Sequence, residues 1–479
     1  MFIALLAWGA SSPPGSSPDE DYHMGSIWCA TGAVEGRCEI DGTDTVRLLP
    51  ADLTGASACF AFHPDQSASC NLDENAMAPT ERGNWIDNGY PPVFYAVMST
   101  FVSDDLPLSI ILMRTFNALL YVGVLSALFF LLPLRMRPTL IWASLIGIVP
   151  LGMFLIPSAN PSSWAVIQAS GLWLAVWGFF EQTGRKKVGL AITATALMVI
   201  GAGARGDSAA YGVLAVLIAV ALAFRPNRRF AIQLLLPAAL IVIAIALFLT
   251  AGQSGVLTAE TGTPDKPLLS LVLANLQALP QLWIGSLGLW GLGWLDTEMP
   301  DLVWGTSFAL FAAIAFWGLR SSTSRKWIPI LATSAALVAV PLYILVREGI
   351  LVGVGVQPRY IYPLMIMFVG AMILGARRST LGLGRVQLLV VGIGLVGANS
   401  LALHTNLRRY ITGADVSALN LDRAIEWWWD FGPSPMTVWV LGSLAFAAVL
   451  GALIWFTWER IPADAKTTSA PLEASAPVG

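Results

Sequence analysis

The sequence predicts an all-α polytopic membrane protein, and three observations carry that prediction. Of its 479 residues, 56% are hydrophobic and only 12% are Asp, Glu, Lys or Arg, whereas about a quarter are charged in an ordinary soluble domain. Mean hydropathy is +0.68, and the apolar residues fall in runs near the roughly 20 residues that a bilayer crossing needs. Basic residues fall on every second connection between those runs, as expected when cytoplasmic loops hold the Lys and Arg. A formal net charge of -3 without a basic patch or tail excludes a protein that tracks a nucleic acid backbone.

The chain opens with the apolar run Met1 to Ala10, only about half a crossing. It lacks the basic start of a cleaved signal peptide, so residues 1–12 read as a partial first transmembrane helix. Pro13, Pro14, Gly15 and Pro18 cannot continue that helix. Asp19 is then placed to cap a new helix that carries Glu20 and His23 three apart on one face. Residues 13–106 form the one large hydrophilic stretch and are predicted to fold as a small extracytoplasmic loop domain. It holds all four cysteines, Cys29, Cys38, Cys59 and Cys70, and an even count confined to one loop reads as disulfides in an oxidising compartment. Three pairings are open, with the local ones, Cys29 to Cys38 and Cys59 to Cys70, favoured. A zinc site has no CxxC or HxxxH spacing behind it.

Further apolar runs lie near 108–133, 139–157, 163–180, 188–204, 208–224, 230–250, 302–319, 327–346, 360–376, 386–404 and 436–457. With the partial first helix they give about twelve crossings. The connections bearing Arg135 and Arg137, Arg185 to Lys187, Arg225 to Arg229, Arg320 to Lys326, and Arg377 to Arg385 then share one side with Arg460 and Lys466, so both termini are expected to be cytoplasmic. Counting 268–294 as a crossing would break that alternation. It therefore reads as a re-entrant or interfacial segment broken at Pro280, within a bundle spanning 107–458. The tail, 459–479, is rich in Ala, Ser and Pro and is expected to be disordered. Neither a solenoid repeat nor an inverted duplication is visible, which weighs against a secondary transporter.

On this topology the unusual polar motifs gather at extracytoplasmic helix ends: Asp19-Glu20-x-x-His23, Asn160-Pro-Ser162, Arg205-Gly-Asp207, Gly293-Trp-Leu-Asp296 and Gln357-Pro-Arg359-Tyr360. Ionisable groups in a membrane protein mark function, so one convergent site is expected. Each motif also has an ordinary explanation. Glu20 and His23 also suit a hydrogen-bonded helix start, Arg205 and Asp207 a salt bridge closing a turn, and Asp296 a cap before Pro300. Arg114 and Arg359 equally suit snorkelling to the interface, while Arg359 also suits a bidentate clasp on phosphate. The run Trp427-Trp428-Trp429 fits an interfacial anchor or a platform for sugar rings.

Taken in order, Pro13-Pro-Gly-Ser-Ser-Pro-Asp-Glu-x-x-His23, Asn88-Gly-Tyr90-Pro-Pro-Val-Phe-Tyr95, Arg114-Thr-Phe-Asn117, Asn160-Pro-Ser162, Arg205-Gly-Asp207, Gly293-Trp-Leu-Asp296, Gln357-Pro-Arg-Tyr360 and Trp427-Trp-Trp429 resemble the bacterial predicted-membrane-protein family catalogued as domain of unknown function 2142. That family is grouped by fold with the GT-C glycosyltransferases, whose first extracytoplasmic loop carries an acidic catalytic motif. The resemblance implies a GT-C-like bundle in which Asp19-Glu20 occupies that position. Pro358 stands where the family's Gln-Gly-Arg-Tyr motif has glycine, and the first span is short.

These readings set the expectation of a glycosyltransferase in a bacterial plasma membrane. It would move a sugar from a polyprenyl-phosphate donor to a cell-envelope glycan or lipid acceptor on the extracytoplasmic side, with inversion. Asp19 or Glu20 would act as general base on the acceptor hydroxyl. His23, Tyr90, Arg114, Asn160, Arg205, Asp207, Asp296, Arg359, Tyr360 and Trp428 would bind substrate, with Arg359 and Arg205 neutralising the departing phosphate. A divalent cation, Mg or Mn, held by Asp19, Glu20 and His23 would be the sole cofactor. The competing expectations are a transporter or flippase for an envelope lipid or polysaccharide, and a non-catalytic envelope assembly protein.

Overall fold

The computed structural model describes residues 1–70, 76–252, 267–320, 322–375 and 381–458. The tail 459–479 and the basic residues Arg377, Arg378, Arg460 and Lys466 therefore lie outside the described residues. Helix α1 (Phe2–Ala10) stops where the prolines begin, and α2 (Glu20–Trp28) starts directly after Asp19. The lobe that follows holds strands β1 (Glu39–Ile40), β2 (Arg47–Pro50) and β3 (Met77–Thr80), antiparallel in the order β1-β2-β3. Short helices α3 (Ala51–Thr54), α4 (Asn84–Asp87) and α5 (Val93–Met98) complete it. Cys29 is bonded to Cys38 and Cys59 to Cys70, with Cα separations of 5.4 and 5.6 Å, within the usual range for a disulfide.

The bundle begins with α6 (Leu106–Leu131), whose first turn is capped by the Asp105 carboxylate accepting from the Leu108 amide at 2.9 Å. It continues through α7 (Arg137–Ile146), α8 (Leu151–Leu155), α9 (Ser162–Glu181), α10 (Gly184–Ala202), α11 (Gly206–Ala223), α12 (Arg228–Gln233) and α13 (Leu235–Leu249). After these come α14 (Leu268–Ile284), α15 (Asp301–Gly318), α16 (Trp327–Glu348), α17 (Pro358–Met372), α18 (Arg385–Ile411) and α19 (Pro435–Trp458). Helix α9 is the axis of the bundle, buried along nearly its whole length. Its glycines make close approach possible: a Cβ on Gly171 would lie 2.5 Å from Leu128, and one on Gly178 2.6 Å from Leu132. Small residues serve the same purpose wherever membrane helices pack without a hydrophobic drive.

Nine described stretches are long and apolar enough to cross a membrane, so the count of about twelve is not confirmed. Helix α1 has 9 residues and α17 has 15, which at 1.5 Å per residue is well short of about 30 Å of hydrocarbon. The apolar run 139–157 splits into α7 and α8 around Gly147 to Pro150, where proline prevents a continuous helix. Helix α10 carries Arg185, Lys186 and Lys187 in its first turn, so its apolar part is shortened.

Residues 268–289 are among the nine. Helix α14 runs unbroken through Pro280, and the break comes at a π turn, Gly285–Leu289, where Gly288 has φ +111°. The Asn275 amide donates to the Ile350 carbonyl at 3.0 Å and its oxygen accepts from the Val352 amide at 2.9 Å, beside the C-terminal end of α16. Trp283 reaches Leu337, halfway along α16, and Trp294 is then back against Gly15, donating to its carbonyl at 2.9 Å. The segment thus descends along α16 and returns to the turn that follows α1.

Candidate functional site: an ion-paired cluster around the turn after α1

The backbone from Gly9 to Pro18 is held by side chains from elements far apart in the chain. Arg114 of α6 donates to the carbonyls of Gly9 (2.8 Å), Ser12 (2.5 Å) and Pro13 (2.8 Å). Asn406 of α18 binds the Ser11 and Ser12 hydroxyls, and Trp429 donates to Ala10. Tyr410 reaches Ser16, while Asn160 and Arg359 both donate to Pro18, at 2.8 and 2.6 Å. Proline and αL residues cannot use a helical ladder, so their carbonyls need other partners. These side chains supply them, and the turn becomes a rigid mount.

That mount aims Asp19. Its backbone is left-handed, φ 60° and ψ 18°, a conformation that Asp tolerates better than most residues yet still a strained one. Asp19 does occupy the N-cap position of α2, but its side chain makes no capping bond. One oxygen is paired with Arg359 Nη2 and the other accepts from Arg82 Nη2 at 2.7 Å. Arg359 also donates to the Tyr360 hydroxyl at 3.4 Å, and its guanidinium carbon lies 5.1 Å from the Tyr360 ring centre. Arg205 approaches the same ring, at 5.0 Å, and the Tyr90 ring at 5.7 Å. It is gripped by both oxygens of Asp207, at 2.9 and 2.8 Å, and by Ser162 at 3.2 Å. Gln357 is the N-cap of α17 and Pro358 its first residue, where a fixed φ suits a helix start. Pro358 therefore fixes the start of the helix that carries Arg359.

His23 is fully buried beneath this cluster. Its Nδ1 lies 3.0 Å from the Tyr95 hydroxyl, and its ring packs edge-on to Tyr90 with centres 4.9 Å apart. Burial pushes the imidazole well below its usual pKa, only partly opposed by Asp19, so His23 is neutral. Burial also acts to raise the Asp19 carboxyl, but the charge and hydrogen bond of Arg359 outweigh it, helped by Arg82, and hold it below the usual carboxylate range. Among the described residues, His23 Nε2 and Arg359 Nε are among the buried polar atoms with no hydrogen-bond partner, as are the Nε atoms of Arg114, Arg408 and Arg409 elsewhere. The first two belong to the cluster.

The structure therefore brings together Asp19, His23, Tyr90, Arg205, Asp207, Arg359 and Tyr360. It does not bring in the rest of the predicted set. Glu20 is fully buried on the far side of the turn, accepting from the amides of Ser17 and Ala159 at 3.1 Å each and paired with Arg114 at 3.4 Å. Asp19 is left-handed and Glu20 is the first helical residue, so the two side chains leave the backbone in different directions, one carboxylate facing the cluster and the next the core. Arg114 and Asn160 are buried supports of the turn. Asp296 pairs with Arg409 at 3.0 Å and accepts from the Phe62 amide at 2.9 Å, fastening the lobe to α18. Trp428 donates to Pro433 and lines a separate apolar cavity of about 300 Å³ with Ile3, Leu6 and Ile111.

The residues expected to hold a cation, Asp19, Glu20 and His23, are placed apart in this structure. Glu20 is committed to Arg114 and the two amides, and His23 Nδ1 to Tyr95, so the three side chains do not converge. Among the described residues, no group of three or more His, Cys, Asp or Glu is placed to hold a metal ion.

Sequence reasoning passed over Arg82, Asp21 and Arg409. Arg82 sits among ordinary loop charges and carries no signal of its own. Arg409 did carry one: with Arg408 it lies in the last turn of α18, opposite in the helix to basic Arg385. A basic pair at that end runs against the alternation and needs local partners. Arg408 finds the carbonyls of Ala418 and Asn420, and Arg409 finds Asp296, Phe60 and Gln66.

A bundle of apolar helices with an ion-paired polar cluster set at one end defines a multi-pass membrane protein. A family model described as a predicted membrane protein matches residues 2–368, and the chain belongs to that family, DUF2142. No curated protein and no solved structure matches the chain.

Proposed function

We propose that the protein is a membrane glycosyltransferase that moves a sugar from a polyprenyl-phosphate donor to a cell-envelope glycan or lipid acceptor. It works at the extracytoplasmic face of a bacterial plasma membrane, with both termini cytoplasmic. Asp19 is the general base that takes the proton from the acceptor hydroxyl as the glycosidic bond forms. Arg359 and Arg205 neutralise the phosphate as it leaves. Glu20 is not a second base, because its oxygens are spent on Arg114 and the turn.

The observation that carries this reading is the meeting of Asp19, Arg359 and Arg205 around one tyrosine, Tyr360, from three separate parts of the chain. Unpartnered buried nitrogens on His23 and Arg359 support a polar ligand there, since such atoms are costly unless something fills them. An apolar cavity of about 430 Å³ farther along α17, lined by Met365, Phe368, Met372 and Trp283, supports a ligand with a long hydrocarbon chain.

The test is transfer from labelled polyprenyl-phosphate sugars by purified protein in nanodiscs. Wild type should transfer and Asp19→Asn should not, while still folding. Transfer that survives in Asp19→Asn overturns the assignment of the base. Specific binding of the lipid phosphate without transfer, and with movement of the lipid between leaflets, would favour a flippase.

A further inference from the structure

Arg82 lies in the connection after β3 and reaches the same carboxylate that Arg359 holds. Its Nη2 donates to Asp19 Oδ1 and its Nε to Asp21 Oδ2, both at 2.7 Å, with the guanidinium 6.0 Å from the Tyr22 ring centre. Since Arg359 occupies Oδ2, both oxygens of the candidate base are covered. With an arginine on each oxygen the carboxylate is a weaker base and its outer face is partly covered, so release of one arginine raises both its basicity and its accessibility to an acceptor hydroxyl.

The structure identifies which one. The side chain of Arg82 is 50% exposed, whereas those of Arg205 and Arg359 are 5% and 3% exposed. Arg359 is also tied to Pro18, and Arg205 to Asp207 and Ser162. Opening a buried pair strands a desolvated charge, while opening an exposed one costs little. The backbone beside Arg82 is fixed: the Asn84 amide donates to Ser26 at 2.8 Å, and Tyr22 donates to Asn84 and Asp87 at 3.2 Å. It is therefore the side chain that moves.

Charge balance gives that movement a cause. Three guanidiniums, Arg82, Arg205 and Arg359, face three carboxylates, Asp19, Asp21 and Asp207. With the charges balanced, an entering anion gains most by drawing an arginine away from a carboxylate, and the Arg82 pairs are the most accessible.

We propose that Arg82 is an anion-capturing latch over Asp19. When a phosphate-bearing ligand arrives, Arg82 leaves the two aspartates for the phosphate, completing a three-arginine site with Arg359 and Arg205. The same movement uncovers Asp19 Oδ1. Arg82 thus couples arrival of the charged substrate to exposure of the base. The inference rests on the proposed phosphate ligand but not on any bond being broken.

The experiment uses the full chain in detergent and geranyl phosphate as a short, soluble lipid phosphate. Binding is titrated through the shift in thermal unfolding. Asp19 is probed separately by carbodiimide-driven amine labelling read by peptide mass spectrometry. Arg82→Gln should bind about tenfold more weakly, the loss of one charge-assisted contact, and should label faster at Asp19 without ligand. If Arg82→Gln fails to fold, Arg82→Lys carries the same comparison, because an ammonium keeps the charge but loses the planar fork. Binding by wild type that is equal in the Arg82 variant overturns the latch and leaves the phosphate site standing. No binding by wild type overturns both.

Discussion

Arg114 and Glu20 form an ion pair sealed inside the protein, their side chains 3% and 0% exposed, and together they fasten both sides of the turn that carries Asp19. Arg114 holds three of its carbonyls, while Glu20 holds the Ser17 amide and ties it to Ala159. Arg114→Leu would strand a buried carboxylate and three carbonyls. It is expected to cost about 3–5 kcal/mol, read as a lower unfolding temperature and loss of monodisperse protein. Glu20→Gln retains hydrogen-bonding capacity and should cost less, about 1–3 kcal/mol.

Asp19→Asn should behave in the opposite way. Its side chain is a third exposed and its buried partner Arg359 keeps the Pro18 carbonyl, so folding should survive. Transfer should fall by about 10² to 10⁴, the usual contribution of a positioned general base. A variant pair in which Glu20→Gln loses more activity than stability, while Asp19→Asn loses neither, would reverse the assignment of the two carboxylates.

Two groups make stability depend on pH in the same direction. His23 is held neutral by burial, so its folded pKa lies well below its unfolded value near 6.5. The unfolded chain then binds the proton more readily, and stability falls as pH drops below about 6.5. Asp19 has a folded pKa below its unfolded value near 3.9. Its contribution is fully present above the unfolded value and is lost as pH falls through the folded one. Unfolding temperature should therefore decline in two acid steps. His23→Gln should flatten the first step and Asp19→Asn the second; an unchanged profile in both variants would remove these groups as the cause.

Much of this was legible because a bilayer narrows what polar residues can do. Cysteine spacing gave the two disulfides, and the outlying polar motifs gave seven residues that do meet. The pairing of Asp19 with Arg359 could be suspected, but a contact across 340 residues has no local signal. Glu20 could not be told from Asp19, because which of two adjacent acids turns inward depends on Arg114, Ser17 and Ala159. The crossing count of about twelve is not confirmed where hydropathy is blind to chain direction: apolar residues 139–157 read the same whether or not a proline bends the backbone between α7 and α8. Arg82 was invisible because a loop arginine acquires meaning only from what it touches.

The Cys59–Cys70 disulfide closes the loop that offers the Phe60 and Gln66 carbonyls to Arg409 and the Phe62 amide to Asp296. Both disulfides close short loops, with sequence separations of 9 and 11, so the entropic part should be similar, about 2–3 kcal/mol each. Only the second loop carries partners for a buried arginine. Replacing Cys59 and Cys70 by Ser should therefore lower the unfolding temperature more than replacing Cys29 and Cys38, and should open the chain to protease between residues 59 and 70. Equal effects would mean that Arg409 finds other partners once the loop is freed.

Orientation can be tested with the same cysteines. The lobe carries two disulfides, which persist in an oxidising compartment, whereas the opposite helix ends carry Arg135, Arg185 to Lys187 and Arg225, the residues that cytoplasmic loops retain. Intact cells treated with a membrane-impermeant reductant and then an impermeant maleimide should gain label on Cys29, which is partly exposed at the edge of an exposed loop, whereas Cys38 is buried. A cysteine placed at Arg185 in the same cells should take label only after the membrane is permeabilised. The reverse pattern would put Asp19, Arg359 and Arg205 on the cytoplasmic side, where soluble nucleotide sugars rather than lipid-linked ones are at hand, and the proposed donor would have to change with it.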